Sequence, residues 1–294
     1  MLKYLKYTNE GITVNGNHCT VRYVLKEGDV LRIMTEDRES SAVIAPVDLP
    51  LEILYEDDCL VVPSKGANMP THPSCDHYTD TVANALAYRY ACQGIPFVFR
   101  PINRLDRNTS GLLLIARNKH TAAILTRELQ SGGIQKKYLA VLDGEMEVRK
   151  GIIDACLHRT EQSIIVREVC PPDAPDADHA VTEYRVLCVG DGHTLVLASP
   201  ITGRTHQLRV HFSYLGHPIT GDDLYGTPSH LIDRHALHAI SLTFTHPTKG
   251  CRMHLSAPLA EDMESLILRL FPDFSTEDFH ENEREKENST SRPL

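Results

Sequence analysis

The chain changes its hydrophobic period twice between positions 110 and 142, and that switch restricts the fold more than any other feature. Residues 111–116, Gly-Leu-Leu-Leu-Ile-Ala, form an apolar run of strand length. Asn118 then stands where a helix cap belongs, and Ala122, Leu125, Thr126 and Leu129 share a helical face until Gly132-Gly133 stop it. Residues 137–142, Lys-Tyr-Leu-Ala-Val-Leu, return to a strand. Strand, helix and strand in about 30 residues make one compact supersecondary unit.

The remaining punctuation is consistent with that unit. Residues 53–54 and 60–62 are strands around a turn at Glu56-Asp57-Asp58. After a Pro-containing loop at 68–74, Thr79 is the expected cap of a helix carrying Val82, Ala83, Leu86 and Tyr90. Residues 181–189 and 194–198 flank Gly190-Asp191-Gly192 as a hairpin. Residues 205–215 are expected to be a helix capped by Thr205, with Leu208, Phe212 and Leu215 as its stripe and Gly216 and Pro218 as its stop. Residues 237–244 and 251–255 read as closing strands around Pro247-Thr248-Lys249-Gly250. Strands and helices mix without strict alternation, so the fold class is α+β around a mainly antiparallel sheet. Three regions are expected: a small unit at 1–45, the main domain at 46–275 after a linker spanning 36–50, and an acidic disordered tail at 276–294.

Charge and motifs remove whole classes of function. The 294 residues hold 30 Lys and Arg against 39 Asp and Glu, a formal charge of −9, so a nucleic-acid partner requires a local patch. From 272 to 294 seven acids face three bases, whereas from 97 to 140 eight bases face two acids. That +6 segment is the candidate patch. No stretch approaches the roughly 20 apolar residues of a membrane helix. The opening Met1-Leu2-Lys3-Tyr4 lacks the regions of a signal peptide, so a soluble cytoplasmic protein is expected. The eight scattered Cys read as reduced thiols rather than a disulfide framework. The sequence has no G-x-G-x-x-G, G-x-x-x-x-G-K-[ST], H-E-x-x-H or G-x-S-x-G, and no cofactor is expected. His72, Cys75 and His77 are spaced closely enough for a metal, but a structural zinc site uses four ligands and no second pair stands at ligand spacing.

The chemistry concentrates in residues 103–111, Asn-Arg-Leu-Asp-Arg-Asn-Thr-Ser-Gly. Asp106 sits in a turn-rich loop before a buried strand, between Arg104 and Arg107, with Thr109 and Ser110 placed to bond back to the loop. Reactive groups are often mounted on loops braced by rigid elements. From composition alone the better-supported reading is a loop Asp that only closes a turn or pairs with an arginine at the surface, since most loop Asp residues do no more.

Arg104-Leu105-Asp106 with Thr109-Ser110-Gly111, then Lys137-Tyr138, then residues 203–211, Gly-Arg-Thr-His-Gln-Leu-Arg-Val-His, resembles the RluA-type RNA pseudouridine synthases. Residues 69–74, 216–222, 224–226 and 257–259 extend the resemblance over roughly 52–270. It implies a pseudouridine synthase fold with a central cleft, and an isomerase that breaks the glycosidic bond of uridine in RNA and rejoins C5 to C1′ without a cofactor. Asp106 corresponds to the catalytic carboxylate, as nucleophile or base, Arg209 to its cationic partner, and Tyr138 to the active-site tyrosine. Arg104, Arg107, Lys136, Lys137 and Arg204 are the expected RNA contacts, with Arg104 filling the space left by the everted base. Asn103 stands where the family often has His. The segment with Val14-Asn15-Gly16 and Gly28-Asp29 resembles the end of the family's small RNA-binding domain, without its leading helices. Large-subunit ribosomal RNA is the favoured substrate and transfer RNA the second; a monomer is expected. Two other readings are a hydrolase pairing Asp106 with Asp222 or Asp223, and a non-catalytic RNA-binding or ribosome-assembly factor.

Overall fold

The structure is a computed structural model that describes residues 5, 10–34, 39–41, 43–163 and 165–275. The expected acidic tail, and the linker positions 36–38 and 42, lie outside the described residues. Near the start, β1 (Ile12–Val14), β2 (Asn17–His18) and β3 (Leu31–Ile33) make a three-stranded antiparallel sheet in the order β2-β1-β3. The β1–β2 turn places Asn15 and Gly16 at φ of 51° and 80°, the left-handed pair that a tight hairpin demands.

A second sheet of eleven strands carries the rest. Its elements run β4 (Glu52–Glu56), β5 (Leu60–Lys65), α1 (Val82–Cys92), β6 (Ser110–Leu112), β7 (Ile115–Ala116), α2 (Lys119–Gln130) and β8 (Gln135–Asp143). Then come β9 (Lys150–Arg159), β10 (Arg167–Cys170), β11 (Asp178–Gly190), β12 (His193–Pro200), α3 (Gln207–Tyr214), β13 (Leu237–Thr245), β14 (Arg252–Ser256) and α4 (Glu261–Leu270). The order is β10-β9-β11-β12-β8-β13-β6-β5-β4, with β14 on β13 and β7 on β5. Every pairing is antiparallel except β13 with β6. The α+β class with a mainly antiparallel sheet is thus as expected.

Alternation along the strands builds a core on each face. Leu60, Val62, Leu112 and Leu114 pack with Leu125 of α2, while Val61, Leu113 and Ile115 belong to the larger cluster that includes α1, α3 and α4. A strand covered on both faces reads as an unbroken apolar run, which is why 139–142 are completely buried.

Several local expectations shift. The cap of α1 is Thr81 rather than Thr79, because Asn84 three residues later returns a hydrogen bond to the Thr81 amide. The run 111–116 is two short strands, since the Asn103 side chain takes the Leu114 amide (2.7 Å) and donates to the Leu112 carbonyl (3.4 Å). Asn103 is therefore a brace for the loop. The helix at α3 starts at Gln207, not behind a Thr205 cap. The strands β9 and β10 and the helix α4 were not anticipated. Yet Met263, Leu266, Ile267 and Leu270, all buried, stand at a helical period.

Gly111 is the closest approach of β6 to β13 beside the Asp106 loop. It lies at φ +107°, and a Cβ there would come 2.2 Å from the Ala239 carbonyl oxygen across the parallel β13–β6 pairing. Gly111→Ala should lower stability by about 3 kcal/mol, combining left-handed strain with overpacking against backbone. Thermal unfolding should show a fall in Tm of roughly 10 °C, and an unchanged Tm would contradict the close approach.

Candidate active site

Asp106 reaches a cleft of about 330 Å³, within the range of ligand pockets, between its own loop, β8 and the start of α3. Its loop is tied down from every side. The Thr71 hydroxyl donates to the Leu105 carbonyl and takes the Leu105 amide, and the buried Lys65 ammonium donates to the carbonyls of Gly66 (2.7 Å) and Arg107 (2.9 Å). Burial lowers the Lys65 pKa to about 7, with Arg234 adding to that and Asp106 opposing it. The sequence has the Thr109 and Ser110 side chains bonding back to the loop; instead their hydroxyls meet His235 and His238 on the far side at 2.8 Å, and it is the Thr109 amide that donates to the Asp106 carbonyl at 3.1 Å. Arg234, paired with Asp262, completes the clasp by donating to the Asn108 carbonyl and the Ser110 hydroxyl.

The second wall is set by Gln207. Its amide donates to the Val181 carbonyl and the Thr182 hydroxyl, and its carbonyl accepts from the Arg204 amide and the Thr202 hydroxyl, which clamps residues 202–207 onto β11. The next turn of α3 carries Arg209, only 5% exposed, with Nη1 3.7 Å from Asp106 Oδ2. Its principal partner is different from the expected one: Nε and Nη2 donate to Asp222 at 2.6 Å each, and Asp222 is fully buried. Burial alone opposes ionisation of Asp222, but the Arg209 hydrogen bonds and charge, with the amides of Leu224 and Tyr225, hold its pKa below the ordinary value. Arg209 therefore arrives at Asp106 already oriented. Asp223, 71% exposed, approaches Arg209 at 3.6 Å, so neither neighbour is a free second carboxylate for sugar hydrolysis.

The other anticipated residues divide. Tyr138 is buried on β8 and lines the cleft; burial first, and the Asp106 charge second, raise its pKa, so the phenol keeps its proton. Lys136 also lines the cleft and is buried, which lowers its pKa. Lys137 lies on the other face of the strand, in a groove with Lys150 and Arg185, away from Asp106. Arg104 lines the cleft, while Arg107 lies in a small adjoining cavity with its Nη1 3.3 Å from His77 Nε2. Arg204 stands at the rim, bonded to Asp178 and to the His179 carbonyl. The +6 segment is not one patch: Arg117 is spent on the Asp57 carbonyl and the Tyr90 ring, and Arg100 on the Val98 carbonyl. What the fold collects instead is Arg104, Lys136, Arg204 and Arg209 around the one acidic residue of the cleft, Asp106. His206 lines the same cleft, with the Tyr225 hydroxyl 2.7 Å behind its Nδ1; neither stands out from the sequence alone, although both fall within the motifs.

The sequence matches the RNA pseudouridylate synthase family over residues 60–214. It is 39% identical to the uncharacterized RNA pseudouridine synthase YjbO of Bacillus subtilis over 267 residues, 91% of this chain and 93% of that one. The chain belongs to the RNA pseudouridylate synthase family. Ribosomal large subunit pseudouridine synthase D of Vibrio cholerae is 34% identical over 281 residues, 89% of this chain and 84% of its own. Among solved structures, human RNA pseudouridylate synthase domain containing 4 superposes with a TM-score of 0.62 at 26% identity, over 74% of this chain and 92% of that one. This RNA pseudouridylate synthase is thus an isomerase acting on RNA, with the pseudouridine synthase fold the sequence motifs implied. None of its described helices is long and apolar enough to cross a membrane.

Proposed function

We propose that this enzyme converts uridine to pseudouridine in large-subunit ribosomal RNA, using the domain at 46–275, with Asp106 as its catalytic carboxylate. The observation that carries the site assignment is the position of Asp106: braced on its loop, half-buried in a cleft whose lining also includes Arg104, Lys136 and Arg204, with a paired Arg209 at 3.7 Å. The ribosomal substrate is supported by relatives named ribosomal large subunit pseudouridine synthase D, 34% and 36% identical to this chain.

The chemistry follows from what the cleft contains. A uridine must leave its stack, at a cost of a few kcal/mol, before its C1′ and C5 are accessible. Lys136 and Arg204 are the cations that offset that cost through phosphate contacts, while Arg104, beside Asp106, occupies the vacated stack. Asp106 acts on the ribose as nucleophile or base while the C1′–N1 bond breaks. The uracil turns, C5 bonds to C1′, C5 gives up its proton and N1 gains one, so atoms balance without any co-reactant. Tyr138 packs against the base, where the family resemblance has the tyrosine stack on it and assist loss of the C5 proton; its burial keeps the phenol protonated in the free enzyme. Tyr138→Phe is expected to slow turnover by about tenfold, the loss of one hydrogen bond near 1.4 kcal/mol, with KM little changed. Single-turnover rates measure this, and wild-type turnover would remove the hydroxyl from the mechanism.

The deciding experiment is chemical mapping of pseudouridine in total RNA from cells with and without the gene. Loss of signal at large-subunit positions, restored by the wild-type gene and not by Asp106→Asn, is the expected result. Loss confined to transfer RNA, or no loss anywhere, overturns the ribosomal assignment.

A further inference from the structure

The residue preceding α3 is in a conformation its role as a helix cap does not explain. His206 sits at φ 57°, in the left-handed region that non-glycine residues seldom occupy, and its side chain makes no capping hydrogen bond. Instead the imidazole points into the cleft. Its Nε2 lies 3.9 Å from Asp106 Oδ2, and its Nδ1 lies 2.7 Å from the Tyr225 hydroxyl.

The hydrogen-bond accounting around Tyr225 sets the direction of this chain. The Tyr225 oxygen accepts the Arg167 amide at 2.9 Å, and its own proton needs an acceptor, for which His206 Nδ1 at 2.7 Å is the group in reach among the described contacts. A ring that accepts at Nδ1 and is neutral carries its proton on Nε2, the nitrogen facing Asp106. Both protonation states agree with this. Burial raises the Tyr225 pKa, so the phenol remains a donor. Burial lowers the His206 pKa, with Asp106 and Asp222 opposing and Arg209 and Arg167 reinforcing it, so the imidazole stays neutral. His235 lies beyond, itself held neutral by burial at a pKa of about 3, and Arg104 and Arg107 face His206 across the adjoining small cavity. The same Tyr225 ring lies under the Arg209 guanidinium at 5.0 Å, so one tyrosine braces both groups that face the carboxylate.

We infer that His206 is a positioning residue for the isomerisation: a neutral imidazole whose tautomer is set by Tyr225 and whose Nε2–H is held for Asp106 Oδ2. This rests on the assignment of Asp106 as the catalytic carboxylate. The 3.9 Å separation closes to a hydrogen bond when substrate fills the cleft, as catalytic hydrogen bonds commonly tighten on binding. The left-handed backbone at His206 is the strain that aims the ring at the carboxylate rather than at the helix end.

Two measurements test it. In the free protein labelled with 15N-histidine, one neutral imidazole protonated at Nε2 should be present at neutral pH, absent in His206→Gln and redistributed between tautomers in Tyr225→Phe. An Nδ1-protonated ring or an imidazolium overturns the inference. In single turnover, His206→Gly relieves the left-handed strain but leaves the Tyr225 hydroxyl without its acceptor, and turnover should fall about tenfold or more with RNA affinity unchanged, while the acid limb of the pH profile moves to higher pH. His206→Gln, which keeps a donor at similar reach, should recover most of that loss and return the acid limb. Turnover in His206→Gly within about twofold of wild type with an unmoved profile overturns it, whatever the change in stability. If the wild-type enzyme makes no pseudouridine, the functional reading is what fails, and the tautomer measured in the protein alone still decides the role of His206.

Discussion

Asp106→Asn is expected to abolish pseudouridine formation and to leave RNA binding within a few-fold. Asparagine keeps the shape of the side chain and removes both the nucleophilic oxygen and the proton acceptor, so neither possible role of Asp106 survives. General-base assistance alone is commonly worth about 10²–10⁴ in rate, and loss of a covalent nucleophile is more damaging still. The fold should tolerate the change, because Arg209 retains its two 2.6 Å hydrogen bonds to Asp222 and the loop is held through Lys65, Thr71 and Arg234 rather than through the Asp106 carboxylate. Binding should hold or tighten, since the substitution removes a negative charge from a cleft that Arg104, Lys136, Arg204 and Arg209 share. Release of label from C5 of uridine-labelled RNA, measured beside equilibrium binding, checks both halves. Parallel loss of binding and turnover would contradict the catalytic role.

The second large effect falls on stability. Asp222→Ala strips a fully buried guanidinium of its bidentate partner, and breaking a buried ion pair in this way costs about 3–5 kcal/mol. A loss of Tm on the order of 10 °C should accompany a collapse of activity, because Arg209 no longer stands oriented at Asp106. The pair also makes a pH prediction whose sign is fixed. The folded pKa of Asp222 is depressed, so its contribution is fully present above the unfolded value near pH 4, and disappears as pH falls through the lower folded value. The stability gap between wild type and Asp222→Asn should therefore be constant from about pH 5 upward and shrink only in acid below pH 4. Calorimetric unfolding across that range would show it, and a gap that persists undiminished at low pH would contradict the pairing.

Local signals carried much of the architecture because their causes are local. Asn118 caps α2 through the Thr121 amide, Asp191 and Gly192 turn β11 into β12 at positive φ, and the alternation in β8 sends Tyr138 toward the cleft. That same alternation separates Lys136 from its neighbour Lys137, a distinction available from the strand period once the strand was placed. The cap of α3 resisted reading because the long-range grip of Gln207 on β11, rather than any neighbour in sequence, sets the turn before it.

The sequence by itself determined the mixed fold class and the turn-rich loop that holds Asp106, while Tyr138 and Arg209 were pointed to by the resemblance of the ordered motifs to a known family and line the same cleft. Each depends on spacing within a few residues or on an ordered run of motifs. Only the tertiary structure decided that Arg209 is gripped by Asp222, that His206 faces the carboxylate with Tyr225 behind it, and that the bases of 97–140 scatter instead of forming one patch. Ion pairs and hydrogen bonds between distant segments are chosen by which strands become neighbours in the sheet. Charge counted along a chain cannot tell a guanidinium spent on a backbone carbonyl from one left facing a cleft.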